Sequence, residues 1–248
     1  MSVEGAVVNE APVRLFVNGS ELATIMCSPA DLDLLALGFL CSEGLIQGPE
    51  EVRLLKVCPS ATCVDVWLRR ADFELPTRRI ITSGCGGGVT FTDLAGALDP
   101  LRSELRVTPR QLSALMQALI DSASLHRETG GTHAAALADG ANLLAVTEDV
   151  GRHNTIDKLW GRCLVERIPT QDRILLSTGR ISSEMLHKAA RMHVPVVASR
   201  TSPTSLSVAL AGAWNVTLAG YVRRESLNVY AGWERIMQDE EEPRYANA

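Results

Sequence analysis

Residues 12–26, "PVRLFVNGSELATIM", form two β-prone runs of largely apolar residues, separated by the polar pair Asn18-Gly19. That dipeptide accepts two left-handed residues in succession, so the stretch predicts a β-hairpin. The spacing then changes. In "SPADLDLLALGFLCSEGLI", Leu34, Leu35, Gly38 and Phe39 share one helical face. Ser28 is the expected N-cap, Pro29 the first helical residue, Asp31 a first-turn acid, and Gly44 the left-handed terminator. Strands expected at 51–58 and 63–70 complete a small ββαββ unit. Further on, Thr108-Pro109-Arg110-Gln111 reads as a capping box with proline at the first helical position, opening an amphipathic helix through about Arg127.

Beyond that helix, strand-like and helix-like segments alternate. "THAAALA", "NLLAVTE", "RILLST", "PVVAS" and "NVTLAGYV" read as strands, with helices near 154–166, 182–192 and 204–213. Such alternation predicts a layered α/β domain on a mostly parallel sheet. Four polar clusters follow strand ends: "EDVGRHN", "STGRISSE", "SRTSPTS" and "YVRRES". Ligands of open α/β sheets bind outside the carboxyl ends of the strands, so these clusters predict one shared pocket. The tail "QDEEEPRYANA" is acidic and is expected to fray.

Composition narrows the class. Of 248 residues, 46% are hydrophobic and 21% charged, as in ordinary globular domains. The longest apolar runs fall far short of the roughly 20 residues of a membrane span. The amino terminus "MSVEGAVVNEAPV" lacks the basic start and apolar core of a secretory signal, so a cytoplasmic location is expected. A net charge of −5 gives no global field to attract nucleic acid or a membrane surface. An anionic ligand must therefore be held locally, by helix N-termini and forked arginines.

Six cysteines (27, 41, 58, 63, 85 and 163) show no disulfide-framework spacing. Cys85 stands apart, in "RRIITSGCGGGVTF". Glycine neighbours leave the backbone uncovered, and Arg78, Arg79 or adjacent N–H groups would favour the thiolate. The alternatives are a reactive, accessible thiol or a tight turn with an incidental cysteine. "GCGGGV" lacks the last glycine of a dinucleotide fingerprint and precedes a poor helix start, and no P-loop motif occurs. Cys58 and Cys63, in "CPSATC", would supply half of a zinc site, but no second pair of ligands is visible; two loop thiols between strands is the simpler account. Cys27, Cys41 and Cys163 read as packing. Zinc deamination is excluded, because Ala135 replaces the glutamate two residues after His133 and no C-x-x-C follows.

"TEDVGRHNTIDKLWG" crowds Glu148, Asp149, Arg152, His153 and Asp157 at one strand–helix corner, with Asn154 as the expected cap. It reads as an anion site at a helix N-terminus, the alternative being a cap plus a surface Asp149–Arg152 ion pair. "STGRISSE" repeats the pattern, with Gly179 for the turn, Arg180 as the cation and Ser182 or Ser183 as the cap.

Five segments, in order, carry a resemblance: "CSPADLDLLALGFLCSEGLI", "ETGGTHAAAL", "EDVGRHNTIDKLWG", "STGRISSEMLHKAARMHVPVVASRTSPTSLSVALA" and "TLAGYVRRESLNVY". From about Val13 to Tyr230 the chain resembles the FdhD family, the formate dehydrogenase accessory sulfurtransferases. The resemblance implies an α/β protein, α+β overall. A small amino-terminal domain (residues 1–105) would carry the Cys85 loop, and a larger three-layer, cytidine-deaminase-like α/β domain (106–248) would bind nucleotide without zinc. It implies a cytoplasmic homodimer that accepts persulfide sulfur from a cysteine desulfurase. That sulfur would pass to bis(molybdopterin guanine dinucleotide) and so serve formate dehydrogenase. The cofactor is carried as a substrate, and GDP or GMP would mimic its guanine-nucleotide part.

By position, Cys85 would bear the persulfide. Tyr221, Val222, Arg223, Arg224, Glu225 and Ser226 match the cofactor-binding segment, and Arg152, His153 and Arg180 are expected to add contacts. Where the family motif reads C-G-x-C, this chain has Gly88 in place of the second cysteine. Either one cysteine suffices, or the chain binds and assembles the cofactor without transferring sulfur.

Overall fold

The computed structural model describes residues 5–76, 80–81, 89–90, 98–224 and 226–238. Cys85, Arg78, Arg79, Glu225 and the acidic tail beyond Gln238 lie outside the described residues.

The amino-terminal unit follows its pattern closely. Strands β1 (Ala11–Val17) and β2 (Ser20–Cys27) form the hairpin, with both turn residues left-handed, Asn18 at φ 48° and Gly19 at φ 83°. Helix α1 (Leu32–Ser42) leads to β3 (Val52–Val57) and β4 (Cys63–Leu68), giving a sheet of order β2-β1-β4-β3. Pairing of β1 with β4 is parallel, so α1 serves as the crossover. Gly44, at φ 71°, ends the α1 region as expected. The predicted start is corrected: the helix begins three residues later, after a left-handed Asp31, and Ser28 caps nothing in α1. Ser28 instead gives its N–H to Asp149 (3.1 Å) and accepts the N–H of Val150 (3.2 Å), because a buried carboxylate across the interface competes for it. Strands β5 (Ile80–Ile81) and β6 (Val89–Thr90) pair antiparallel.

The capping box at Thr108 forms as predicted and opens α2 (Pro109–Ser122). The single helix expected through Arg127 is two, since Ala123 leaves helical geometry and α3 (Ser124–Thr129) follows. Glu148 makes the break stable by accepting the N–H groups of Leu125 (3.0 Å) and His126 (2.7 Å). The larger sheet has six strands: β7 (His133–Ala138), β8 (Leu143–Asp149), β9 (Ile174–Ser177), β10 (Val196–Ser199), β11 (Thr217–Gly220) and β12 (Asn228–Ala231). Their order is β12-β11-β10-β9-β7-β8. Only β9, β10 and β11 run parallel to one another, while the β8–β7, β7–β9 and β11–β12 pairs are antiparallel, which corrects the mostly parallel expectation. The reason is local. Asp139 accepts the N–H groups of Ala141 and Asn142, both at 2.9 Å, and this turn is too short for a crossover.

Helices α4 (Arg152–Val165), α5 (Ser183–Arg191) and α6 (Ser205–Ala213) connect the remaining strands. Alternate strand residues divide between two buried clusters. Ala135, Leu137, Leu175 and Val197 join α4 and α5, whereas Ala134, Ala136, Leu176 and Ala198 join α2. Three layers result, as a two-faced buried sheet requires. The small unit docks through α1 against α4. A Cβ on Gly38 would lie 1.8 Å from Asp157 O, and one on Gly161 would lie 2.0 Å from Leu34 O, so the two backbones meet where only glycine fits.

Candidate functional site

The four predicted clusters do lie along one edge of the large sheet. β8, β9, β10 and β11 all end there, and antiparallel β7 begins there with His133 opposite Asp149. The loops are tied into one scaffold. Ser199 Oγ donates to Gly179 O (2.7 Å), Tyr221 N–H to Thr201 O (3.0 Å), and Val222 N–H to Ser199 O (2.9 Å). Gly179 lets the β9 loop lie against the α4 N-terminus, since a Cβ there would be 2.8 Å from Arg152 Cβ and 3.2 Å from His133 Nδ1. Arg152 and His153 therefore stand together beside Gly179, with Arg180 exposed next to them.

Their electrostatics follow from burial. His153 Nε2 lies 3.0 Å from Glu184 Oε2 and 3.1 Å from Ser182 Oγ, the residue that caps α5. Burial pushes the His153 imidazole below its ordinary pKa despite the nearby Glu184 carboxylate, so it is neutral. Burial raises Glu184, but the His153 hydrogen bond and the charges of Lys188 and Arg152 outweigh it and hold the carboxyl low. His133 is also lowered, by burial first and by Arg152 second. At neutral pH the fixed positive charge at this corner belongs to arginine.

The other acids in the corner do structural work. Asp149 faces inward and pairs with Lys158 at 2.6 Å, both side chains fully buried. Asp149 is thus not the surface partner that the alternative reading gave Arg152. Asp149 also accepts Gly151 N–H and Asn154 Nδ2–H, each at 2.8 Å. Asn154 is thus a first-turn residue rather than the cap; Gly151 holds that position with no side-chain bond. Asp157 lies inside α4, bonded to Lys188 (2.5 Å) and Ser42 (2.8 Å).

Past β11, Tyr221 adopts a left-handed conformation (φ 53°) that turns the chain toward α2. Val222 is fully buried in the α2-side core and anchors the segment. Arg223 and Arg224 are exposed, and Arg223 O accepts from Ser113 Oγ at 2.8 Å. Arg224 and Ser226 line a cleft of about 870 Å³ with Arg110, Ser113, Asn228 and Trp233. Helix α2 begins at this cleft with no acid in its first turn, and the indole of Trp233 is 63% exposed. Arg110, Ser113, Asn228 and Trp233 join the site only through the fold. One signal was available: Arg110 is a cation in a helix first turn, against the dipole, a placement that suits an external anion.

Cys27, Cys41 and Cys163 are buried, with thiols pushed up to about 12 chiefly by burial, in keeping with packing roles. Among the described residues, no three His, Cys, Asp or Glu side chains group as metal ligands, and no helix is long and apolar enough to cross a membrane.

The FdhD/NarQ family model matches residues 8–237. The chain belongs to this family. A sulfur carrier protein FdhD of Staphylococcus haemolyticus (strain JCSC1435) is 41% identical over 239 residues, covering 94% of this chain and 90% of the relative. The protein of the same name in Staphylococcus aureus (strain MRSA252) is 39% identical over 240 residues, with the same coverage of each. A crystal structure from Desulfotalea psychrophila, assigned as a formate dehydrogenase accessory protein, superposes with a TM-score of 0.77 at 30% identity, covering 93% of this chain and 90% of the other. The mixed α/β architecture is shared with that structure.

Proposed function

We propose that this FdhD/NarQ member is a cytoplasmic sulfur carrier serving formate dehydrogenase. Cys85 takes a sulfur atom from the persulfide of a cysteine desulfurase and delivers it to bis(molybdopterin guanine dinucleotide). In the loading step the Cys85 thiolate attacks the outer sulfur of the donor persulfide. The donor S–S bond breaks, the donor leaves as a thiolate, and Cys85 holds the transferred sulfur. The chain works as a homodimer.

The observation that carries the reading is the cleft joining Arg224 to Arg110 at the start of α2, in a chain whose relatives bear the name sulfur carrier protein. A protein of net charge −5 needs such a place to hold a dinucleotide diphosphate. Two guanidinium groups supply forked donors, the helix start supplies a favourable dipole, and Trp233 offers a face on which a purine stacks. The Arg152–Arg180 corner extends the same charge along the sheet edge.

Two measurements test it. Millimolar GDP should raise the melting temperature, because a ligand selective for the folded state stabilises it by mass action. Arg110→Ala and Arg224→Ala should each shrink that shift, while an unchanged shift in both variants rejects the cleft. In a strain lacking the native chain, Cys85→Ser should fail to restore formate dehydrogenase activity. Restoration by Cys85→Ser, with loss in Arg223→Ala/Arg224→Ala, would instead establish a cofactor-binding assembly protein. The replacement of the second motif cysteine by Gly88 favours that second reading.

A further inference from the structure

The β3–β4 turn, Cys58-Pro59-Ser60-Ala61-Thr62-Cys63, shares no residue with the site above and brings two cysteines together. The strands pair Val57 with Val64, and one step further in the same register Cys58 faces Cys63. Cys58 N–H donates to Cys63 O at 3.0 Å. The return bond of an ordinary antiparallel pair would run from Cys63 N–H to Cys58 O. Here it is diverted: Cys63 N–H donates to Cys58 Sγ at 2.9 Å, and Cys58 O accepts Ala61 N–H at 2.9 Å instead. A left-handed Ala61 (φ 53°) makes the diversion possible. The hydroxyls of Ser60 (3.3 Å) and Thr62 (3.7 Å) also approach Cys58 Sγ.

This turn is built around a sulfur acceptor. Val64, Val66 and Leu68 fill the core, so Cys63 and its cross-strand neighbour Cys58 belong to the opposite face, and both are partly exposed. The other described cysteines are buried. Hydrogen bonds from Cys63, Ser60 and Thr62 lower the Cys58 thiol to about 6, and the same Cys58 contact raises Cys63. One thiolate and one protonated partner stand side by side. Directly opposed antiparallel residues have Cα atoms about 4.5–5.5 Å apart, within the roughly 4.4–6.8 Å that a disulfide spans.

We propose that Cys58 and Cys63 form a second, dithiol site that reacts with small divalent-sulfur electrophiles, a persulfide or a disulfide, with Cys58 as the attacking thiolate and Cys63 as the resolving thiol. With a persulfide R–S–SH, Cys58 attacks the outer sulfur, the S–S bond breaks, and R–S⁻ leaves, giving Cys58–S–SH. Cys63 gives its proton to water and attacks Cys58 Sγ. The disulfide forms and HS⁻ departs, so the two thiols are oxidised and the transferred sulfur is reduced. With R–S–S–R the sequence is the same, and two R–S⁻ are released. The site requires neither Cys85 nor the nucleotide cleft.

The test uses the full chain carrying Cys85→Ser, so that its outcome is independent of the proposed carrier cysteine. The protein is treated separately with glutathione persulfide and glutathione disulfide, digested, and mapped by mass. At least one arm should give a Cys58–Cys63 disulfide. Adding Cys63→Ser should trap on Cys58 one extra sulfur in the first arm or one glutathionyl group in the second; the arm that reacts names the source. Iodoacetamide should alkylate Cys58 with a pH midpoint near 6. At pH 6 its thiolate fraction exceeds that of a free cysteine by roughly 150-fold, lower nucleophilicity returns about 13-fold, and the net rate is roughly tenfold higher. No adduct on Cys58 in either arm, or an alkylation midpoint at the ordinary thiol value, overturns the proposal.

Discussion

The buried Asp149–Lys158 pair offers the sharpest test of how the two units are joined. Asp149 accepts Ser28 N–H from the amino-terminal unit, Gly151 N–H and Asn154 Nδ2–H, and it pairs with Lys158. Among the described residues, Lys158 has one further acceptor, Ser28 O at 3.1 Å. Asp149→Asn therefore strands an ammonium group in the core, at a cost of about 3–5 kcal/mol. Lys158→Met leaves a carboxylate that still accepts three hydrogen bonds, so its cost should be lower, about 2–3 kcal/mol. The double variant buries neither charge, and such replacements are often close to neutral. It should be more stable than Asp149→Asn alone, with a coupling of at least about 2 kcal/mol. Urea unfolding of the four proteins, followed by the fluorescence of buried Trp160 in α4, measures the cycle. Single effects that add to within about 0.5 kcal/mol would refute the claim that the charges depend on each other.

Two other expectations follow from packing and titration. Gly161→Ala forces a methyl group to within 2.0 Å of Leu34 O; α1 must move from α4, and the cost should be at least the roughly 1–3 kcal/mol of an overpacked core, read as a lower urea midpoint. His187, 4% exposed and edge-on to Trp214, is lowered to about 4, first by burial and then by Arg191 and Lys188. The unfolded chain binds this proton below about pH 6.5 while the folded chain refuses it until about 4. Stability is thus complete above pH 6.5 and falls by roughly 3 kcal/mol as the pH drops to 4. His187→Phe should flatten that part of the stability–pH curve, and an unchanged slope would count against it.

Much of the architecture was legible because it rests on local chemistry. Asn18-Gly19, the Thr108 capping box and the Ser182 cap each specify their own backbone, and each forms. Period-2 and period-3.6 runs located the strands and helices, and the four strand-end clusters share an edge. What stayed hidden was non-local. No spacing rule says that Asp149 will turn inward to a lysine nine residues on, or that its carboxylate will take the N–H of Ser28 from the other unit. Likewise, Glu148 breaks a helix more than twenty residues earlier in the chain. The Arg110–Arg224 cleft joins residues over a hundred positions apart, and only folding brings them together. The two cysteines of "CPSATC" are visible in the sequence, but the diverted hydrogen bond from Cys63 N–H to Cys58 Sγ is not.

The central claim is that a single glycine-flanked cysteine carries sulfur. It is tested most directly by incubating the full chain and its Cys85→Ser variant with a cysteine desulfurase and cysteine, then locating added sulfur by peptide mass mapping. The account predicts one sulfur atom on Cys85 in the native chain and no sulfur at position 85 in the variant, whatever Cys58 carries. A native chain whose Cys85 peptide gains no sulfur, under conditions in which the desulfurase is itself persulfidated, would contradict it.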